Sequence, residues 1–161
     1  MANTEKISLA KALKLKNRLV GQISKLTQDV QLYNSTQEGS EAIDVRARFE
    51  LRAQTVATLT QLKYAIYLAN QPVQNLIFEL AERKAEVALL SGLSTKHGVY
   101  KEGYPTAGDI NYLAQFRKAD IDAMVKKLEY QIDLLQDRLD VHNHQTTVEV
   151  DSAVLAQEID A

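Results

Sequence analysis

The sequence predicts an all-α protein, an antiparallel coiled-coil bundle of about four helices followed by an extended C-terminal arm. The 161 residues include only 2 prolines and 6 glycines, and strong helix formers such as Leu, Ala, Gln, Glu and Lys are plentiful. Apolar residues also recur at alternating steps of three and four along most of the chain, which is the heptad pattern of coiled coils. We expect residues 1–145 to form the bundle and residues 146–161 to form an acidic arm.

The first predicted helix covers residues 5–33. Leu13 and Leu15 widen its apolar stripe, so we expect contact with more than one neighbouring helix. The line of apolar residues that we call the first seam, interrupted only at Lys16, consists of Leu9, Ala12, Leu19, Ile23, Leu26, Val30 and Tyr33.

In the middle of the chain, the sequence predicts two helices separated at Pro72. Residues 34–40 have turn chemistry, and Ser40 can cap a second helix over residues 41–70. Proline disfavours helical geometry in the residue before it, so a third helix should restart there and run to Leu90, with Gly92 as its C-terminal cap. The second seam consists of Val45, Phe49, Arg52, Val56, Leu59, Lys63, Ile66 and Asn70.

The fourth predicted helix covers residues 109–143, with Asp109 as its N-terminal cap. At about 1.5 Å per residue it is longer than a compact bundle of this mass needs, so part of it should contact a partner. The third seam consists of Ile121, Val125, Leu128, Ile132, Leu135, Leu139 and His142. Core packing and self-association should therefore rest mainly on Leu19, Ile23, Leu26, Val30, Leu128, Ile132, Leu135 and Leu139.

Residues 93–108 are predicted to form the longest irregular segment, with three of the six glycines. His97, Tyr100, Lys101 and Tyr104 combine aromatic rings with cationic and polar groups, which are the ingredients of a ligand-binding or partner-binding loop. The alternative is that the tyrosines simply anchor the loop on the bundle.

The charge distribution favours protein contacts over nucleic acid. The net charge is −2, so the whole molecule does not attract a polyanion and nucleic acid is not expected as a partner. The first helix carries a basic face that includes Lys11, Lys14 and Arg18, whereas the tail is acidic. This face predicts packing near the acidic tail of the same or another chain. A membrane-surface helix and a plain solvated face are the alternatives.

The motifs do not indicate an enzyme or a cofactor. The chain has no cysteine, which excludes disulfides and thiolate chemistry, and it has no Glu-x-x-His or His-Glu-x-x-His motif. Gly98 and Gly103 have P-loop spacing, but Tyr104 follows where a lysine is required. Asp140 and His144 share a helical face and are the strongest metal-ligand candidates, with a structural role as the favoured alternative.

Several segments resemble a small bacterial family of helical proteins, the septicolysin-like family. The resemblance rests on Leu9-Ala10-Lys11-Ala12-Leu13, Asn17-Arg18-Leu19 and Ile23, on Leu76 to Leu90 with Leu80-Ala81-Glu82-Arg83, and on Leu135, Arg138, Leu139, Asn143 and Thr146. It implies an all-helical fold and oligomerisation. The family's haemolysin-like label implies membrane damage, and no catalytic residues come with the resemblance.

The sequence as a whole predicts a non-enzymatic structural or interaction protein that forms homo-oligomers through its seams. The N-terminal residues are Lys-rich rather than apolar, and no run of 18 apolar residues occurs. We therefore expect a cytoplasmic protein and no membrane span. The alternatives are a membrane-associating protein that uses the basic helix and a helical protein that binds a small ligand or a metal.

Overall fold

Helix predominates in the computed structural model, which describes residues 4–38, 43–101, 108–151 and 155. The order of elements is β1 (Thr4–Ser8), α1 (Leu9–Tyr33), α2 (Val45–Asn70), a 3-10 turn (Gln71–Val73), α3 (Gln74–Gly92), β2 (Gly98–Lys101), β3 (Asp109–Tyr112), α4 (Lys118–Gln145) and β4 (Thr147–Asp151). The helical prediction is therefore confirmed for most of the described chain. The strands, which form two small antiparallel sheets, correct the prediction of an all-α fold.

The first helix begins later than predicted because residues 4–8 form a strand. Ser8 is the N-cap of α1, and its hydroxyl oxygen accepts a hydrogen bond from the Lys11 N–H at 3.2 Å. β1 pairs with β4 in a register that places Thr4 opposite Asp151 and Ser8 opposite Thr147. The predicted C-terminal arm is thus, over 147–151, a strand paired within its own chain.

The chain divides into two compact units, Met1–Val73 with Asp140–Ala161 and Gln74–Leu139. β4 therefore belongs to the same unit as α1 and α2. In this first unit the start of α1 packs on the end of α2, so the two helices run antiparallel. Its core is built from Ile7, Leu9, Ala12, Leu15, Leu19, Leu59, Leu62, Ile66, Val148 and Val150.

The α2–α3 junction follows the prediction from Pro72, since the 3-10 turn at Gln71–Val73 separates the two helices. α2 begins after Asp44, whose carboxylate accepts the Ala47 N–H at 3.0 Å. Gly92 is the last residue of α3 and does not have the positive φ of a left-handed cap, so that detail of the prediction is wrong.

The second unit contains α3, the β2–β3 hairpin and most of α4. Its described core cluster consists of Leu90, Ile121 and Leu128, with Val87, Met124 and Val125 partly buried against it. α3 buries only Leu90 among its 19 residues, whereas α1 buries five of 25. Among its described residues, the second unit therefore buries fewer side chains than the first.

α4 starts at Lys118 rather than at residue 109. The Arg117 N–H donates to the Asp120 carboxylate at 2.9 Å. Asp120 is the third residue of α4 and accepts from the residue before the helix, as in a capping box. Asp109 lies in β3 opposite Lys101, so its predicted role as a helix cap is wrong.

Candidate interaction surfaces

The eight predicted seam residues lie on the inner faces of α1 and α4. Leu19, Leu26, Leu128, Leu135 and Leu139 are buried, and Ile23, Val30 and Ile132 are half-buried. The α1 and α4 seams therefore coincide with the packed faces of these helices.

The second seam does not coincide with the packed face of α2. Leu59 and Ile66 are buried together with Thr55 and Leu62, whereas Phe49 is 56% exposed and Val56 is also exposed. Besides its packed face, α2 carries an exposed apolar stripe. We call it the α2 outer stripe, and it consists of Phe49, Val56, Tyr64 and Tyr67. Phe49 also lines a groove of about 680 Å³ between the end of α1 and the start of α2.

Exposed apolar residues also line up on α3 and α4. Phe78 and Leu89 of α3 are exposed and lie eleven residues apart, which brings them to one side of the helix. On α4, Tyr130 is 66% exposed and Leu134 is 48% exposed. Both lie on the side of α4 opposite the buried Ile121, Leu128 and Leu135.

Large apolar side chains are as common on the described surface as in the core. Within the described residues, 19 large hydrophobic side chains are exposed, against 16 buried hydrophobic residues. Single exposed hydrophobic residues are normal in soluble proteins, but lines of them along several helices are typical of contact surfaces.

The predicted loop of residues 93–108 contains β2, which pairs with β3 just after the loop. Tyr100 lies opposite Ile110 and Gly98 lies opposite Tyr112, so both tyrosines are on one face of the two strands. Their rings pack edge-to-face with centroids 5.7 Å apart. The Lys96 ammonium lies 5.2 Å from the Tyr112 ring centroid and 5.7 Å from that of Tyr100. Two of the four predicted residues, Tyr100 and Lys101, are thus on β2, while Tyr104 falls outside the described residues.

His97 joins the hairpin to the start of α4. Its Nδ1 lies 3.3 Å from the donating N–H of Ala114, and its Nε2 lies 3.0 Å from Nη2 of Arg117. Both partners are donors, and a neutral imidazole has only one lone pair to accept with. A neutral His97 can therefore accept only one of the two hydrogen bonds at a time, from Ala114 or from Arg117. Either bond connects the residue before β2 to the segment that precedes α4. The sequence analysis did not identify three residues that contact the hairpin or His97. No motif marks them, and they are Lys96, Tyr112 and Arg117.

The basic face of α1 is exposed at Lys11, Lys14 and Arg18. The opposite, apolar face of α1 is packed in the core of the first unit and is not available to a bilayer surface. None of the helices in the described part of the chain combines the length and the hydropathy that a bilayer crossing requires.

One acidic residue of the tail pairs with a basic side chain of β1. Lys6 of β1 lies opposite Glu149 of β4, and their charged atoms are 3.5 Å apart on the exposed face of the sheet. An exposed pair of this kind contributes about 0 to 1 kcal/mol.

Of the two metal-ligand candidates, the side chain of His144 contacts the main chain of Asp140. His144 Nδ1 lies 2.7 Å from the carbonyl oxygen of Asp140, which satisfies a carbonyl in the last turn of α4. Among residues 4–38, 43–101, 108–151 and 155, no three acidic or histidine side chains are grouped as a metal site would require.

Comparison with known proteins adds no relative to this description. No protein-family model, no curated protein and no solved structure matches this chain.

Proposed function

We propose that this protein is a non-enzymatic structural protein that self-associates, with the outer faces of its helices packing in coiled-coil fashion against those of other copies. The observation that carries the proposal is the presence of exposed apolar stripes on α2, α3 and α4, each opposite the packed face of its helix. A helix that is apolar on two sides is normally buried on both. A single copy covers only one of them.

The small core of the second unit supports the same proposal. Units of this size bury a limited share of their surface and are marginally stable when alone. Here the described core cluster has three residues, and α3 contributes only Leu90. Additional copies would cover Phe78 and Leu89, which a solitary chain leaves in water.

The alternatives have less support. Association with a membrane through α1 would need the apolar face that already packs on α2. A ligand site on the hairpin would use the faces of Tyr100 and Tyr112, which Lys96 already covers in part.

The test is the solution mass of the full chain, measured by light scattering over a range of concentrations and paired with its thermal unfolding midpoint. We expect a mass above that of the 18.0 kDa chain and a midpoint that rises with concentration, because self-association stabilises by mass action. A monomer at every concentration, with a constant midpoint, would overturn the proposal.

A variant pair locates the contribution of α2. Phe49→Ser with Tyr67→Ser removes two residues of the α2 outer stripe and should shift the mass towards the monomer. Gln54→Ser, on an exposed part of the same helix away from the stripe, is the matched control and should leave the mass unchanged.

A further inference from the structure

Four exposed residues on the outer face of α4 have a spacing that is the same in both directions along the helix. Lys127, Tyr130, Leu134 and Asp137 are all exposed and are separated by steps of three, four and three. Such steps keep the four side chains on one side of the helix. We call these four residues the α4 outer stripe. It has two apolar residues at its centre and one charge of each sign at its ends.

We infer that α4 pairs antiparallel with α4 of a second copy, about a two-fold axis that passes between Tyr130 and Leu134. This inference rests on the proposed self-association and specifies its contact. In this register, Tyr130 of each copy packs on Leu134 of the other, and Lys127 of each copy faces Asp137 of the other. A two-fold contact uses the same patch on both subunits, so every pair occurs twice.

The charges distinguish the antiparallel arrangement from the parallel one. In a parallel, in-register pair, each side chain would face its own counterpart, Lys127 against Lys127 and Asp137 against Asp137. Like charges at facing positions are destabilising, whereas the antiparallel register places opposite charges together at both ends. Neither Lys127 nor Asp137 has an ion-pair partner within the described part of the chain, so both are free to pair across the contact.

The same symmetry favours a second copy over an unrelated partner. A different protein would need its own stripe with the reverse order of charges, whereas this stripe complements itself. The contact from Lys127 to Asp137 is about 15 Å long, which is short for a protein interface. The dimer should therefore form in a concentration-dependent way.

The first test inverts the charges one at a time and then together. Lys127→Glu should weaken the α4 contact about tenfold, because two attractive pairs become repulsive. Asp137→Lys should do the same. The double variant with both changes restores opposite charges at both ends and should return to near wild-type association. Lys14→Glu on α1 carries the same change of charge outside the stripe and should have no effect.

The second test uses the absence of cysteine from the chain. Purified Lys127→Cys and Asp137→Cys variants are oxidised separately and as a mixture. The antiparallel register predicts a disulfide-linked dimer in the mixture and little in either variant alone. Links within each variant alone, or charge variants that all associate like the wild type, would overturn the inference. In those cases the wild-type oligomer would still stand, whereas a monomeric wild type would overturn the proposed function itself.

Discussion

His142, near the end of α4, donates a hydrogen bond from Nε2 to the carbonyl oxygen of Ala69 in α2, over 3.1 Å. Because a carbonyl oxygen only accepts, Nε2 carries the proton and Nδ1 is left to accept from the Thr146 hydroxyl at 3.2 Å. One half-buried imidazole therefore ties the end of α4 to the end of α2.

Replacement of His142 should destabilise the first unit. His142→Ala leaves the Ala69 carbonyl without this donor, and we expect a loss of about 1 to 3 kcal/mol in the free energy of unfolding. Denaturant unfolding followed by circular dichroism measures it. The control is His144→Ala, on an exposed side chain two residues later, which should change stability by less than about 0.5 kcal/mol. Equal losses in the two variants would contradict the assigned role of His142.

The neighbouring residues Leu19 and Val20 provide a test of which face of α1 is packed. Leu19 is 1% exposed and Val20 is 47% exposed. Leu19→Ala should cost about 2 to 5 kcal/mol because it removes a filled core position. Val20→Ala should cost much less, as measured by the same denaturant titration. A similar cost for both would mean that α1 packs on a different face.

The C-terminal strand should be part of the stable fold. Val148 is buried opposite Ile7, whereas Thr147 is exposed beside it. Val148→Ala should lower the free energy of unfolding by about 1 to 3 kcal/mol, and Thr147→Ala should leave it nearly unchanged. A chain truncated after residue 145 should therefore have a lower free energy of unfolding, whether or not the truncation changes self-association. If Val148→Ala were as stable as the wild type, the pairing of β1 with β4 would not hold the core.

The β2–β3 hairpin should open more readily than the helices. Isolated two-stranded hairpins are marginally stable, and the Tyr100–Tyr112 pair contributes about 0.5 to 1.5 kcal/mol. Tyr112→Ala should speed hydrogen exchange of the amides in 98–101 and 109–112, as followed by NMR, without lowering the global unfolding midpoint. Asn111→Ala, on the other face of the hairpin, is the control. Unchanged exchange in the Tyr112 variant would show that the ring pair does not hold the strands together.

Periodicity predicted the long helices well because their packed faces are long and regular. The α4 seam contains Leu128, Leu135 and Leu139, all of which are buried. The same reasoning failed on α2, where two apolar stripes coexist. Phe49 and Val56 satisfy heptad spacing as well as Leu59 and Ile66 do, and the spacing alone does not reveal which stripe a neighbouring helix covers.

The extended conformation of β4 was expected, but β1, β2 and β3 were missed because their partners are not visible locally. Lys6 and Ile7 continue the helical pattern of α1 in the sequence, and their extended conformation comes with pairing to β4. Asp109 has a side chain suited to a helix cap, but it pairs with Lys101 in the hairpin and therefore does not begin a helix. The ring pair of Tyr100 and Tyr112 likewise depends on a strand register that spacing does not encode.

The pairing of β1 with β4 also determines when the first unit can finish folding during synthesis on the ribosome. The paired residues are about 140 positions apart in sequence, so Ile7 and the Leu9 N–H, which donates to the Thr146 carbonyl, lack their partners until the last strand has been synthesised. At about 5 to 20 residues per second, that interval lasts roughly 7 to 30 seconds. During translation, α1 and α2 can pair early, but the apolar end of their core stays open to solvent and to chaperones until β4 emerges and closes it.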